Sequence, residues 1–490
     1  MSQQFDSIVI GAGPGGYVCA IRLAQLGQKT AIVEKDKWGG VCLNVGCIPS
    51  KALIYASSQF HKMKHEAQDI GITTSGVKVD LEKMQSWKED VVKKLTGGVS
   101  GLLKMNKVEQ IKGTATFKDA HTLEIATASG KQIVTAKNIV IATGSRVLEI
   151  PPLPFNGKNI LSSTEALELK KLPKKLLVIG GGFIGVEIGI AYAKLGSEVT
   201  IVEGLDQILS TIDKEIVAVV EKRMRKLGMK VLTSTKAIGL KEKDPQKAST
   251  LHLEVETQGK REFLEADTIL VSVGRKPNSD GLGLEKLGVK LDPRGNILTD
   301  RQSQTHVAGV WAIGDVAGAP QLAHRASMDG LLVAAAIHGE KSFRDYRSVP
   351  WAVFSDPEIA VVGLNEKEAA AENIKVRVGK FPFAANGRAL STNETDGLIK
   401  VLINEADESI VGVHIVGSEA SNLIAEAALA IEMGATVEDV VRTIHTHPTL
   451  PEIFPEAVEA AFFKSIHIYK PQVSPKVGSS DKEVVREGRP

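Results

Sequence analysis

SIVIGAGPGGYVCAIRLAQLGQKTAIVEK, residues 7–35, decides how the rest of the chain is read. A β-branched run leads into G-x-G-x-x-G, then a helix of small apolar residues, then a second β-branched run ending on Glu34. Such a glycine pattern is weak alone, but after a strand, at the start of a helix and ahead of an acidic strand end it predicts a dinucleotide site. A pyrophosphate needs close backbone approach and unpaired N–H groups at a helix N-terminus, which is what Gly11, Gly13 and Gly16 allow. Glu34 is placed to accept from ribose hydroxyls and to repel a 2′-phosphate.

The same grammar returns in LLVIGGGFIGVEIGIAYAKLGSEVTIVEG, residues 176–204. Gly180, Gly182, Gly185 and Glu203 each follow their counterparts by 169 residues, so the repeat is in register. Two such units predict an α/β fold with two Rossmann-like domains and two bound dinucleotides. The second copy is apolar enough to suggest a membrane span, yet its glycine cluster and Glu187 fit a buried strand-turn-helix better.

Composition sets the frame around these units. At 490 residues, the chain should form about three domains of ~150 residues. The 60 Lys and Arg nearly balance the 58 Asp and Glu, so charge points neither to nucleic acid nor to a membrane surface. The opening MSQQFDSIVI lacks the features of a signal peptide, and the expectation is a cytoplasmic protein.

Against that background GGVCLNVGCIPSK, residues 39–51, stands out, since it holds two of the three cysteines, Cys42 and Cys47. A cross-link closing so short a loop constrains the unfolded chain little. A closed zinc site would want a second pair of ligands nearby. Free structural thiols remain the plain alternative, but in a reducing compartment a close pair favours redox chemistry. A disulfide needs Cα atoms about 4.4–6.8 Å apart, so the segment must bend. Gly46 permits the bend, Pro49 suits a helix start, and Lys51 favours a thiolate. Beside a redox pair, a flavin at the first nucleotide unit and a nicotinamide at the second is the economical assignment.

These residues, with four further motifs, resemble the flavin-dependent pyridine nucleotide-disulfide oxidoreductases, and to about Lys470 the chain is most similar to the dihydrolipoamide dehydrogenase branch. ATGS at 142–145 and VSVGRKPN at 271–278 resemble the family's two crossovers, THVAGVWAIGD ending at Asp315 its second flavin motif, and HTHPTLPE at 445–452 its histidine-glutamate segment. The resemblance implies that Cys42 exchanges with a dithiol while Cys47 faces the flavin, with Lys51 and Glu187 paired beside its reactive side. It implies FAD contacts from Gly11, Gly13, Gly16, Glu34 and Lys51, and from Gly113, Thr143, Gly144, Ser145, Asp315 and Ala323. It implies NAD contacts from Gly180, Gly182, Gly185, Glu187, Glu203 and Gly274, and no metal.

His447 and Glu452 are implied as an acid-base pair. A histidine beside proline is by itself more often a turn or surface residue, but an imidazole oriented by a carboxylate can take a proton from a substrate thiol. In the family this histidine serves the cysteines of the other subunit, so a homodimer is implied. The implied activity is NAD-dependent oxidation of protein-bound dihydrolipoyl groups. The implied partners are a lipoyl-bearing acyltransferase of a 2-oxo acid dehydrogenase complex or the glycine-cleavage carrier protein. The alternatives are a glutathione reductase-like enzyme working on another disulfide, a mercuric reductase, for which the C-terminal cysteine pair is missing, or a non-catalytic binding subunit.

The expected organisation is an FAD-binding domain with the redox cysteines at 1–148, an NAD-binding domain at 149–273, a central segment at 274–348 completing the FAD site, an interface domain at 349–470, and a polar, disordered tail at 471–490. Two departures from the family pattern are Val41, where threonine is common, and Pro451, where a small polar residue is common.

Overall fold

The computed structural model describes residues 3–469; the expected tail at 471–490 lies outside the described residues. The first unit runs β1 (Gln3–Ile10), α1 (Pro14–Gln25), β2 (Thr30–Glu34), α2 (Gly40–Val45), α3 (Cys47–His61), α4 (Leu81–Met105), β3 (Glu109–Lys112), β4 (Thr114–Asp119), β5 (Thr122–Thr127) and β6 (Gly130–Ile141). Strands β3, β2, β1 and β6 form a parallel sheet in that order. Both faces of it are covered, which is why Ile8, Val9 and Ile10 form an unbroken apolar run, all nearly or fully buried. The start of β6 pairs antiparallel with β5, and β5 with β4.

The second unit has the same plan. It comprises β7 (Ser145–Val147), β8 (Ile160–Leu161), α5 (Ser163–Ala166), β9 (Lys175–Ile179), α6 (Phe183–Leu195), β10 (Glu198–Val202), α7 (Lys214–Lys226), β11 (Lys230–Leu232), an antiparallel trio β12 (Thr235–Leu240), β13 (Leu251–Thr257) and β14 (Lys260–Ala266), and β15 (Thr268–Val271). Its parallel sheet is ordered β11-β10-β9-β15-β8. The apolar segment around Glu187 is the expected strand, turn and helix, with α6 buried along most of its length. Among the described residues no helix is long and apolar enough to cross a membrane.

The chain then returns to the first unit. Strand β16 (Arg275–Pro277) pairs antiparallel with β7, zipping the two crossovers together. After α8 (Leu284–Leu287), β17 (Val310–Ala312) joins β6 at Ile139–Ile141, and α9 (Ala323–His338) packs along α1. The last unit is an antiparallel sheet ordered β18-β19-β22-β21-β20. In chain order it contains β18 (Trp351–Val353), β19 (Glu358–Gly363), α10 (Glu366–Ala371), β20 (Val376–Pro382), α11 (Gly387–Ser391), β21 (Leu398–Asn404), β22 (Ile410–Gly417), α12 (Ala420–Met433), α13 (Val437–Arg442) and α14 (Ile453–Ala460). One apolar cluster joins Leu53 and Phe60 of α3, Val178 and Ile188 of the second unit, and Val353 and Val416 of the last. Burying that shared surface fixes the three units against one another.

Candidate functional site

Two clefts lie at the glycine turns, and they share a wall formed by Ser163, Phe183, Ile184, Arg275 and Gln321. In the first turn Gly11 has φ +101°, and a Cβ there would stand 2.4 Å from the Ala142 carbonyl oxygen. Gly16 lies where a Cβ would stand 1.9 Å from the Gly11 oxygen. Gly16 therefore lets α1 approach β1 closely. Its counterpart Gly185, where a Cβ would stand 2.2 Å from the Gly180 oxygen, does the same for α6 and β9. Gly13 differs: nothing lies within 4 Å of its missing Cβ, and it lines the first cleft at the N-terminus of α1. That open cradle, with helix-terminal N–H groups behind it, fits a dinucleotide phosphate.

The acidic strand ends complete the likeness. Glu34 accepts from the N–H of Ala12 and of Asp36, each at 2.7 Å. Glu203 accepts from Gly181 N–H at 2.6 Å and Leu205 N–H at 2.8 Å. Each carboxylate is thus locked beside its glycine turn with acceptor capacity left for a ribose. Gly182, Gly180 and Gly274 line the second cleft together with Glu203.

The first cleft continues past Thr143, Gly144, Ser145, Asp315 and Ala323 to the cysteines. Ser145 donates to Asp315 Oδ2 at 2.5 Å, and Arg275 donates from Nε to Ser145 Oγ and from Nη2 to Ser145 O, both at 2.7 Å. The crossovers are further tied by Asn278 Nδ2 to Thr143 O at 2.9 Å and Thr143 Oγ1 to Asn278 O at 2.8 Å. Gly113 stands apart from this lining: its N–H donates to Glu34 O at 3.0 Å, and a Cβ would meet the Ala126 oxygen at 2.6 Å. It packs its backbone behind the end of β2.

The bend expected between the cysteines is a break between two helices. Cys42 is in α2, Cys47 opens α3, and Gly46 separates them with its α-carbon pressed toward the Val41 carbonyl, 3.0 Å from where a Cβ would be. Pro49, at the third position of α3, lacks an N–H where the helix has no intrahelical partner for one. Both cysteines are free thiols and lie within hydrogen-bond reach of each other. The Cys42 thiol holds the Cys47 thiol down to about 7, against burial and with help from the Lys51 charge. The same contact, together with burial, pushes Cys42 far up. Cys47 is therefore the thiolate of the pair and Cys42 its proton donor. Val41 is partly exposed on the cleft wall.

Lys51 of α3 reaches Glu187 of α6, Nζ to Oε2 2.8 Å. Glu187 Oε1 accepts the Phe354 N–H at 2.9 Å, and the Lys51 ammonium lies 4.4 Å from the Phe354 ring centroid. Three units thus meet at one ion pair. Glu187, expected among both the flavin-side and the nicotinamide contacts, lines the first cleft, where the Lys51 and Phe354 contacts hold its carboxylate.

His447 and Glu452 are adjacent to each other, and neither lines the cysteine cleft. His447 Nδ1 meets Glu452 Oε1 at 2.9 Å, and the Thr449 N–H donates to Glu452 Oε2 at 2.7 Å. Burial alone would raise the Glu452 carboxyl, but the Thr449 N–H and the His447 ring outweigh it and hold it below the ordinary value. The His447 side chain is 79% exposed in the single chain. His445 has a different partner, Glu426 Oε1 at 2.7 Å. Arg275 and Phe183 were not among the expected site residues, yet both line the wall between the clefts. Arg275 stands inside the crossover motif VSVGRKPN, and Phe183 occupies a variable position of the second glycine pattern, where nothing in the spacing marks it.

Paired dinucleotide clefts with a cysteine pair in the wall of one define a class, and the comparisons agree with it. Residues 5–330 match the pyridine nucleotide-disulphide oxidoreductase family and residues 349–458 its dimerisation domain, so the chain belongs to that family. It is 51% identical to the dihydrolipoyl dehydrogenase of Geobacillus stearothermophilus over 94% of this chain and 97% of the relative, and 49% identical to that of Bacillus subtilis over 95% and 98%. Among solved structures, LpdA from Mycobacterium tuberculosis superposes with a TM-score of 0.86 at 27% identity, covering 93% of this chain and 99% of that one. The cofactors of the family are FAD and NAD, and the two clefts fit them.

Proposed function

We propose that the chain is an NAD-dependent dihydrolipoyl dehydrogenase, and that it works on dihydrolipoyl groups carried by a protein. The observation that carries the reading is the Cys42–Cys47 pair set in the wall of the first of two adjoining dinucleotide clefts, with Lys51 and Glu187 beside it. In the oxidised enzyme the two sulfurs form a disulfide. A substrate thiolate attacks Cys42, and the S–S bond breaks to leave Cys47 as a thiolate, the state its surroundings favour. The second substrate thiol then displaces Cys42 and closes the lipoyl disulfide. Bound FAD supplies the two-electron relay from this dithiol to NAD+.

Proton handling falls to His447. With Nδ1–H donated to Glu452, its Nε2 is an acceptor for the substrate thiol proton. His447 is exposed and does not line the cysteine cleft of its own chain, and it serves the cysteines of a second copy in a homodimer; the match to a dimerisation domain supports that arrangement. Ser145, Asp315 and Arg275 hold the flavin end of the first cleft, Glu34 its ribose end, and Glu203 the ribose of NAD. The expected division of domain functions is part of this reading, and the pairing of β17 with β6, which carries the central segment into the first sheet, supports it. The carrier is a lipoyl-bearing acyltransferase or the glycine-cleavage protein, and the setting is cytoplasmic.

A reductase running from NADPH is disfavoured, because a carboxylate at position 203 repels a 2′-phosphate. The initial rate of NADH formation from dihydrolipoamide and NAD+, with NADP+ in parallel, tests the reading. A strong rate with NAD+ alone is expected; no rate with either acceptor would overturn it.

A further inference from the structure

Lys400, on β21 of the last unit, is an ammonium with no solvent exposure. It contacts Asp213 Oδ2, Glu215 Oε1 at 3.0 Å and Glu366 Oε2 at 2.7 Å. These three carboxylates are close enough together to hold a metal ion, and Lys400 reaches all of them. Burial would lower the Lys400 ammonium, but Asp213, Glu366 and Glu215 push it up to about 12. His414 on β22, itself buried, sets Nδ1 3.2 Å from the same Asp213 oxygen, and Lys380 on β20 sets Nζ 2.5 Å from Glu215. Asp213 and Glu215 belong to the second nucleotide unit, so these contacts cross between units.

What Asp213 terminates gives the cluster its meaning. The loop 204–213 leaves the sheet at Glu203 and ends at Asp213, just before α7. Midway, Leu209 N–H donates to the Gly181 oxygen at 2.9 Å, and Ile208 packs where a Cβ on Gly181 would be 2.5 Å from its Cγ2. The loop therefore lies on the glycine turn and lines the second cleft through Leu209, Ser210, Thr211 and Ile212. Leu209 is 5% exposed and has φ +49°, a left-handed conformation that a bulky residue holds only where its surroundings impose it. One end of the loop is fixed by Glu203; the other, at Asp213, is held by Lys400 and His414.

We propose that Lys400 is a positioning residue for the NAD site: by pinning Asp213 it holds the strained 204–213 loop against the Gly181 turn, so the interface domain contributes to nucleotide affinity in its own chain. The proposal rests on the reading that the second cleft takes NAD. Removing either partner breaks the tie between Asp213 and β21 and releases the loop; removing both breaks that same tie once, so the two losses should not compound.

The test is calorimetric titration of FAD-loaded protein with NAD+ alone, for wild type, Lys400→Met, Asp213→Asn and the double variant, alongside the KM for dihydrolipoamide and backbone hydrogen exchange over 204–213. Each single variant should raise the NAD+ Kd about tenfold and speed exchange in the loop, and the double should be no worse than the worse single. Flavin content and the KM for dihydrolipoamide should stay at wild-type values. If Lys400→Met fails to fold, Glu366→Gln, at the half-exposed edge of the cluster, should give a smaller rise in the same direction. Folded variants with a wild-type Kd would overturn the proposal, as would effects that multiply in the double. A wild type that does not bind NAD+ would instead overturn the nucleotide reading of the cleft, and the proposal with it.

Discussion

Cys47 carries the sharpest prediction at the scale of single residues. Its thiol falls from an ordinary value of 9.0 to about 7, first through the Cys42 contact and then through Lys51, against burial. A lowered value in the folded state means the reduced fold gains stability as the pH rises from about 7 to 9 and loses it as the pH falls through 7. Ultraviolet absorbance of the dithiol-reduced protein should show a thiolate forming with a midpoint near 7, and that signal should be lost in Cys47→Ser. Lys51→Met should move that midpoint upward by about one pH unit, since an opposite charge close by is lost. Cys19 in α1, fully buried with its thiol pushed up by burial, should stay unmodified in the native protein.

Elements set what these residues can do. The N-terminus of α14 presents Glu452 to His447, and the pair acts as one unit, so Glu452→Gln should lower turnover by about 10²- to 10⁴-fold with little change in the cysteine titration. Stopped-flow reduction by dihydrolipoamide checks this, because the loss should fall in the dithiol half-reaction. The two helix-strand contacts at the glycine turns make a separable pair. A side chain at 185 would collide with the Gly180 oxygen and one at 16 with the Gly11 oxygen. Gly185→Val should therefore keep its flavin and lose NAD+ binding, while Gly16→Val should emerge without flavin; absorbance and NAD+ titration distinguish them.

At the scale of the whole molecule, the exposed His447 and the matched dimerisation domain make sharing of the site between two subunits the point to test. A heterodimer of Cys47→Ser and His447→Ala subunits should recover activity at one site, where each parental homodimer has none. Verified heterodimers without activity would show that the sites are not shared. The exposed apolar side chains of the last unit, Leu429 at 64% and Met433 at 75%, lie on the outer side of α12, whose other face buries Ile424, Ala427 and Ile431. They provide surface for such an interface.

Local patterns made the two nucleotide units legible. A glycine that must be left-handed, a helix opened by a turn and an acidic strand end all act within about thirty residues, so spacing alone placed Gly11, Gly13, Glu34 and their counterparts 169 residues on. The cysteine bend was legible for the same reason, because two sulfurs so close in sequence require a break that Gly46 supplies. The pairings of Lys51 with Glu187 and of His447 with Glu452 entered through family resemblance. Only tertiary structure decided the rest. It set Glu187 against Lys51 and Phe354, closed α1 onto β1 at Gly16 and α6 onto β9 at Gly185, set Arg275 and Phe183 in a shared wall, and buried Lys400 against Asp213 and Glu215 of another unit. Those outcomes depend on how separately folded units press together, as with Lys51 and Glu187, which stand 136 positions apart in the chain. Short-range spacing and propensity carry no information about a contact that only interdomain packing creates.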